Sequence, residues 1–337
     1  MKVAELRSIL SSYDPETLRE IVVMLYKEIP KSKKESDGLD GILQDFSKDK
    51  AIEKKKAPAQ SDFPLLESEI EQFLELVDAQ CYVAPNRYVN KAKRSKWRFE
   101  VKRFIKMLLD IKGENGEKSA CLLAKIYEML SYGCSYYLFS SNNTFLAVGY
   151  GQPALLRIIL GKMFFNGVDR ASVKEAVFLT LDSNVDRETL HIQLLYELLN
   201  ALKTIDAKEL ALEQCVAFYR DYDAIQAAKR RFCYSEIYDD YRKEERRNDA
   251  VELYMMIKFS LHEHDEGIKY FWDNYICNKK EIALYVLLTY YLSNDGLESL
   301  WIREYERMAA KKVIPRESLR DEYESRKRSL AGKDASC

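Results

Sequence analysis

The sequence predicts an all-α protein, an antiparallel helix-hairpin array of α-solenoid-like character preceded by a small N-terminal helical unit. Three observations predict it. The first is a shortage of breakers: 337 residues contain only 12 Gly and 7 Pro, whereas multi-strand folds consume both residues in their tight turns. The second is helical spacing of apolar residues from Phe63 to about Leu330, with no convincing alternating strand pattern. The third is an internal repeat in the C-terminal third.

The first 46 residues form the small unit. Asp14-Pro15-Glu16 reads as a helix start, with a side-chain cap, a proline whose missing N–H costs nothing there, and an acid at the positive end of the helix dipole. Leu18, Ile21, Val22 and Leu25 follow at helical spacing, and Pro30 closes the helix. Residues 47–62 have Ile52 as their one large apolar side chain, too little to bury against the entropy of ordering, and read as a linker. The array then occupies 63–337.

Leu66, Ile70, Phe73, Leu74 and Val77 give its first amphipathic stripe, and Trp97, Val101, Ile105, Leu108 and Leu109 the second. Helical stretches follow at 118–137, 153–163, 171–182, 187–203, 207–219, 221–243, 248–261, 267–277, 280–292, 296–310 and 316–329. Short connections between them make neighbours antiparallel. The longest break, 139–152, contains Asn142-Asn143 and Gly149-Tyr150-Gly151, with a short extended piece around 137–148 as the alternative to helix.

Leu253-Tyr254-Met255-Met256-Ile257 matches Leu284-Tyr285-Val286-Leu287-Leu288 at an offset of 31. After a small length difference, Glu266-Gly267-Ile268-Lys269-Tyr270-Phe271-Trp272 lies over Asp295-Gly296-Leu297-Glu298-Ser299-Leu300-Trp301. Hairpins at 249–277 and 280–310 follow, with Trp272 and Trp301 equivalent and both expected in the core. A helix pair of this length cannot cover its own apolar face, and stacked neighbours do so. Over about 187–310 the chain resembles tetratricopeptide-like and HEAT-like helical repeats in architecture, without the tetratricopeptide consensus residues. The whole layout is similar to uncharacterised bacterial helical-repeat proteins, some of which accompany a SWIM-type zinc finger. This chain has no C-x-C pair, so that resemblance implies no metal.

Composition narrows the function classes. Lys and Arg number 53 and Asp and Glu 54, for a net charge of −1. The molecule as a whole is not a polycation for nucleic acid or anionic membrane. Seven scattered cysteines, never spaced C-x-x-C, read as reduced thiols of a cytoplasmic protein. The N-terminus lacks an apolar signal segment, and the longest apolar run, about Ile282–Leu292, falls short of the roughly 20 residues a membrane span needs.

The most asymmetric stretch is 86–106. Arg87, Lys91, Lys93, Arg94, Lys96, Arg98, Lys102, Arg103 and Lys106 face a single acid, Glu100, with Tyr88, Trp97, Phe99 and Phe104 interleaved. Cations among aromatics suit an anionic partner, by phosphate contact and base stacking or by pairing with protein acids. The same charges also suit a solvated helix face paired with Glu67, Glu69 or Glu71. Trp97, Val101 and Ile105, at helical spacing, belong to the core.

Other candidates weigh less. His262-Glu263-His264-Asp265-Glu266 holds metal-ligand types, but the repeat puts it at a polar helix–helix turn. His191 sits in an amphipathic helix. No nucleophile elbow and no phosphate-binding loop occurs, and Gly149-Tyr150-Gly151-Gln152-Pro153 reads as a turn leading into a helix. Tyr219, Tyr222, Tyr234, Tyr238 and Tyr241 suit either a partner surface or semi-buried layers. The run Asp239–Arg247 reads as an exposed helix face or a connection between helices. The sequence therefore points to a protein- or peptide-binding scaffold rather than an enzyme, with no cofactor and no membrane. The alternative is a nucleic-acid-associated protein binding through 86–106.

Overall fold

In a computed structural model of the chain, the structure describes residues 9–30, 63–83, 88–141, 143–229, 237–293 and 296–334, with the backbone alone at 225–229, 237–241 and 329–334. The expected linker at 47–62 lies outside these residues. The chain divides into two units, Met1–Asp62 and Phe63–Cys337. Among the described residues there are fifteen α-helices and no strand, and 75% of them are helical.

The described part of the first unit is one long helix, α1 (Pro15–Glu28). The Asp14 carboxylate accepts from the backbone N–H of Glu16 at 3.0 Å and of Thr17 at 3.1 Å, satisfying two of the N–H groups a helix leaves open. No residue of α1 is buried, and Val22, Val23, Met24 and Leu25 are exposed.

The second unit begins with α2 (Phe63–Asp78), the single turn α3 (Lys91–Arg94), α4 (Trp97–Asp110) and α5 (Gly116–Tyr132). The short α6 (Thr144–Val148) ends at Gly149, whose φ of 78° closes the helix in the left-handed conformation that costs glycine least. The break at 139–152 thus holds a helical turn rather than an extended piece. Then come α7 (Gln152–Met163), α8 (Arg170–Leu181), α9 (His191–Ala201), α10 (Ile205–Lys229) and α11 (Ile237–Ser260). The last four are α12 (His264–Asn274), α13 (Lys280–Val286), α14 (Glu298–Ala310) and α15 (Glu317–Asp334).

Successive helices meet their next neighbour and often the next but one. Helix α7 packs on α5, α8 and α9; α8 also packs on α10; and α11 packs on α9, α10 and α12. The apolar faces share one core, from Phe63 through Leu319. Its aromatic thread at the α2–α4 end runs from Phe104 to Phe73 (5.6 Å between centroids), then Tyr82 (5.1 Å) and Phe139 (5.8 Å), and ends in Trp97 stacked on Phe139 at 3.8 Å. The expected core residues Trp97, Val101 and Ile105 are all buried.

Two expectations are corrected. The stretches 207–219 and 221–243 do not break near residue 220, because α10 runs on through it. The mixed-charge run 239–247 lies within α11 and is not a connection, and its Arg246 is buried. Buried pairing overrides the polarity of that run: the Arg246 guanidinium reaches Asp249 Oδ2 at 3.2 Å and Asn184 Oδ1 at 3.3 Å.

The two C-terminal helix pairs also differ. The first opens with the 24-residue α11, the second with the seven-residue α13 extended by a π-turn over Leu287–Tyr291. Trp301 is fully buried, stacked parallel to Tyr305 at 5.6 Å, while Trp272 is only half-buried. Trp272 instead turns its indole N–H to a carboxylate on α14, which leaves part of the ring at the surface.

Candidate functional site

The candidate surface is built on α3 and α4. Asn90 caps α3, its side chain accepting from Ala92 N at 3.0 Å, so that Lys91 and Lys93 project from one tight turn. In α4 the core takes Trp97, Val101, Phe104, Ile105 and Leu108. Helical geometry then sends the residues between them outward. Lys91, Lys93, Lys96, Arg98, Lys102, Arg103 and Lys106 are exposed and Arg94 is half-buried. Arg87 lies outside the described residues. Two aromatics stand among the cations, Tyr88 at 85% exposure and Phe99 at 60%.

These cations do not all do the same work. Arg94 Nη1 donates to Val83 O at 3.4 Å and so braces the chain before α3. Arg103 pairs with Glu69 of α2 and lies 4.7 Å over the Phe104 ring. Arg98 lies 4.9 Å from the Phe99 centroid. Lys102 Nζ reaches the turn after α6, 3.2 Å from where a Cβ on Gly149 would stand. Among the described residues Lys91, Lys93, Lys96, Lys102 and Lys106 take part in no ion pair, and Lys125 of α5, not this surface, meets Glu71. Among the described residues, pairing with α2 therefore neutralises one cation of the group and leaves these five lysines outside any ion pair.

The structure also gathers residues that sequence patterns leave scattered. At the junction of α9, α11, α12 and the π-turn, His191 Nδ1 lies 3.2 Å from Asp249 Oδ1, and Tyr291 donates its hydroxyl to Glu252. Burial, with the charge of Asp249 added to it, pushes the Glu252 carboxyl up to about 8. Burial likewise raises the Tyr275 and Tyr291 hydroxyls. Nearby, Gln152 Nε2 donates to Asn184 O at 2.9 Å and its Oε1 accepts from Asp186 N at 2.9 Å, tying the loop between α8 and α9 to α7. The Tyr291–Glu252 and Gln152 hydrogen bonds hold helices together, while neither ring nitrogen of His191 makes a hydrogen bond among the described residues. Only the i,i+3 spacing of Asp249 and Glu252 hinted at them.

The remaining candidates are local. His262 has a φ of 63° in the turn before α12, and its ring lies 6.2 Å from that of His264. No group of three or more His, Cys, Asp or Glu able to hold a metal occurs among the described residues. Tyr219 donates to Asn274 O at 3.0 Å and Tyr222 is buried, so both serve packing. The side chains of Tyr234, Tyr238 and Tyr241 lie outside the described residues. Cys81 and Cys215 are buried as free thiols, and Cys121, Cys134 and Cys277 are half-buried. No helix among the described residues is long and apolar enough to cross a membrane.

No family profile, no curated protein and no solved structure matches this chain.

Proposed function

We propose that the chain is a helical interaction protein, a stacked helix array that holds an anionic partner non-covalently on the α3–α4 face. One observation carries the reading: among the described residues five lysines stand free of ion pairs beside the exposed rings of Tyr88 and Phe99. Exposed cations left unpaired next to acidic α2 are charges available to something else. Exposed aromatics supply the apolar contact that a partner interface concentrates. The packing of α7, α8 and α11 on next and next-but-one neighbours supports the array, since stacked repeats bury their faces in that way. An acidic protein segment is the favoured partner, because a net charge of −1 gives no long-range attraction to a polyanion.

The exposure of Tyr88 and Phe99 favours one second reading, single-stranded nucleic acid stacked on those rings. The two are separated by affinity purification from the source cell, with and without nuclease, using wild type and a Lys91→Glu, Lys93→Glu, Lys96→Glu variant. A protein partner that survives nuclease and is lost from the variant supports the main reading. Loss of all bound material to nuclease moves the assignment to nucleic acid. Unchanged capture by the variant removes this face from the function.

A further inference from the structure

A pocket at the other end of α4, away from α3, has a chemistry of its own. It opens where α4 ends, where α5 begins and where the chain leaves α7, and its volume is about 170 Å³. A cavity of about 150 Å³ is enough for a benzene ring. Leu109, Ile111 and Phe165 form its apolar wall. Phe165 stands at the rim, 77% exposed.

The polar side chains of the pocket are all donors of the same tendency. Lys112, Lys162 and Asn166 line it, and no acid among the described residues does. The Lys162 ammonium donates to Ile111 O at 2.6 Å and to Leu109 O at 3.5 Å, closing the C-terminus of α4. An ammonium has three donors, so one remains. Lys112 is exposed and takes part in no ion pair among the described residues. The Asn166 amide nitrogen stands beside Gly116, 3.8 Å from where a Cβ there would be, and the amide makes no hydrogen bond among the described residues. Burial holds the Lys162 ammonium below its ordinary pKa; the charge of Asp110, which does not line the pocket, opposes the shift, and Lys112 adds to it. The pocket therefore holds positive charge that its own lining does not offset.

We propose that this pocket binds a small carboxylate carrying an apolar group, of about the size of benzoate. The carboxylate takes the third donor of Lys162, the Lys112 ammonium and the Asn166 amide. The apolar part lies on Leu109 and Ile111 beneath the Phe165 ring, which removes apolar area of both from water. Inorganic phosphate leaves that wall unused, and a cation is repelled by both lysines. The site is separate from the α3–α4 face, and its occupancy does not depend on what that face binds.

The experiment titrates the full chain with three probes of one shape, benzoate, benzyl alcohol and benzylammonium, and with inorganic phosphate, followed by saturation-transfer NMR and calorimetry. Benzoate should bind about tenfold tighter than benzyl alcohol, as charge-assisted hydrogen bonds imply. Benzylammonium should not bind. Lys112→Gln and Lys162→Gln should each weaken benzoate severalfold and leave benzyl alcohol unchanged, whereas Phe165→Ala should weaken both. Lys112 and Phe165 are exposed, so their variants test the site even where Lys162→Gln loosens the end of α4. No benzoate binding at millimolar concentration overturns the proposal. So does equal affinity for benzoate and benzyl alcohol, phosphate binding as tight as benzoate, or benzoate affinity unchanged in Lys112→Gln and Phe165→Ala.

Discussion

The indole N–H of Trp272 donates to Glu304 Oε2 at 3.0 Å, joining α12 to α14 across the two C-terminal helix pairs. Glu304 is buried, with 3% of its side chain exposed, and also meets Arg307 at 2.7 Å and Arg303 at 3.4 Å. Removing it leaves the Trp272 indole without its acceptor and the Arg307 guanidinium without its carboxylate, while Arg303 keeps Asp265 at 2.6 Å. Glu304→Ala should cost about 3 kcal/mol or more, and Glu304→Gln clearly less, since the amide still accepts from Trp272. Urea unfolding of both variants checks this; equal losses would contradict it.

The equivalent tryptophans are expected to differ. Trp301 is fully buried and fills the space between α14 and α15, where Arg326 lies 5.0 Å over its ring. Trp301→Ala should cost about 3–5 kcal/mol. Trp272→Ala, at a half-buried ring, should cost about half as much. Equal destabilisation in thermal unfolding would show that the two sites are packed alike.

Glu252 gives stability a pH dependence. Its carboxyl stays protonated in the folded chain up to about 8, against 4.5 when unfolded. Above 4.5 the unfolded chain therefore releases a proton that the folded chain keeps. The contribution is complete below the unfolded value and is lost as pH rises toward 8. Glu252→Gln is neutral throughout and should be more stable than wild type at pH 8 by at least about 1 kcal/mol, the two curves converging in acid. Parallel curves from about pH 5 to pH 8 would remove Glu252 as the cause.

Gly133 follows the end of α5 because nothing larger fits. A Cβ there would stand 2.7 Å from Thr144 Cγ2, and Thr144 is held in place by its hydroxyl, which donates to Leu130 O at 2.5 Å. Gly133→Ala should cost about 1–3 kcal/mol by overpacking. Adding Thr144→Ser removes the obstructing methyl and keeps the hydroxyl, so it should restore part of the loss. A double variant less stable than the sum of the two singles would show that the clash lies elsewhere.

The all-α class, most helix starts and the core stripe of α4 were legible in the sequence, because they depend on local rules. A cap such as Asp14 acts within one turn, and the spacing of Trp97, Val101 and Ile105 sets one face whatever lies opposite. The candidate surface was legible as composition, and its exposure follows from the same periodicity that buries its neighbours. Only the tertiary structure decided which cations are paired among the described residues, since Arg103 finds Glu69 34 residues away while Lys102 and Lys106 find no acid there. It likewise decided that α10 and α11 continue through polar stretches, and that Trp272 reaches a carboxylate while Trp301 fills the core. These outcomes depend on what packs against a residue from distant parts of the chain. Periodicity fixes the direction in which a side chain points along its helix, and the neighbouring helix determines what it meets there.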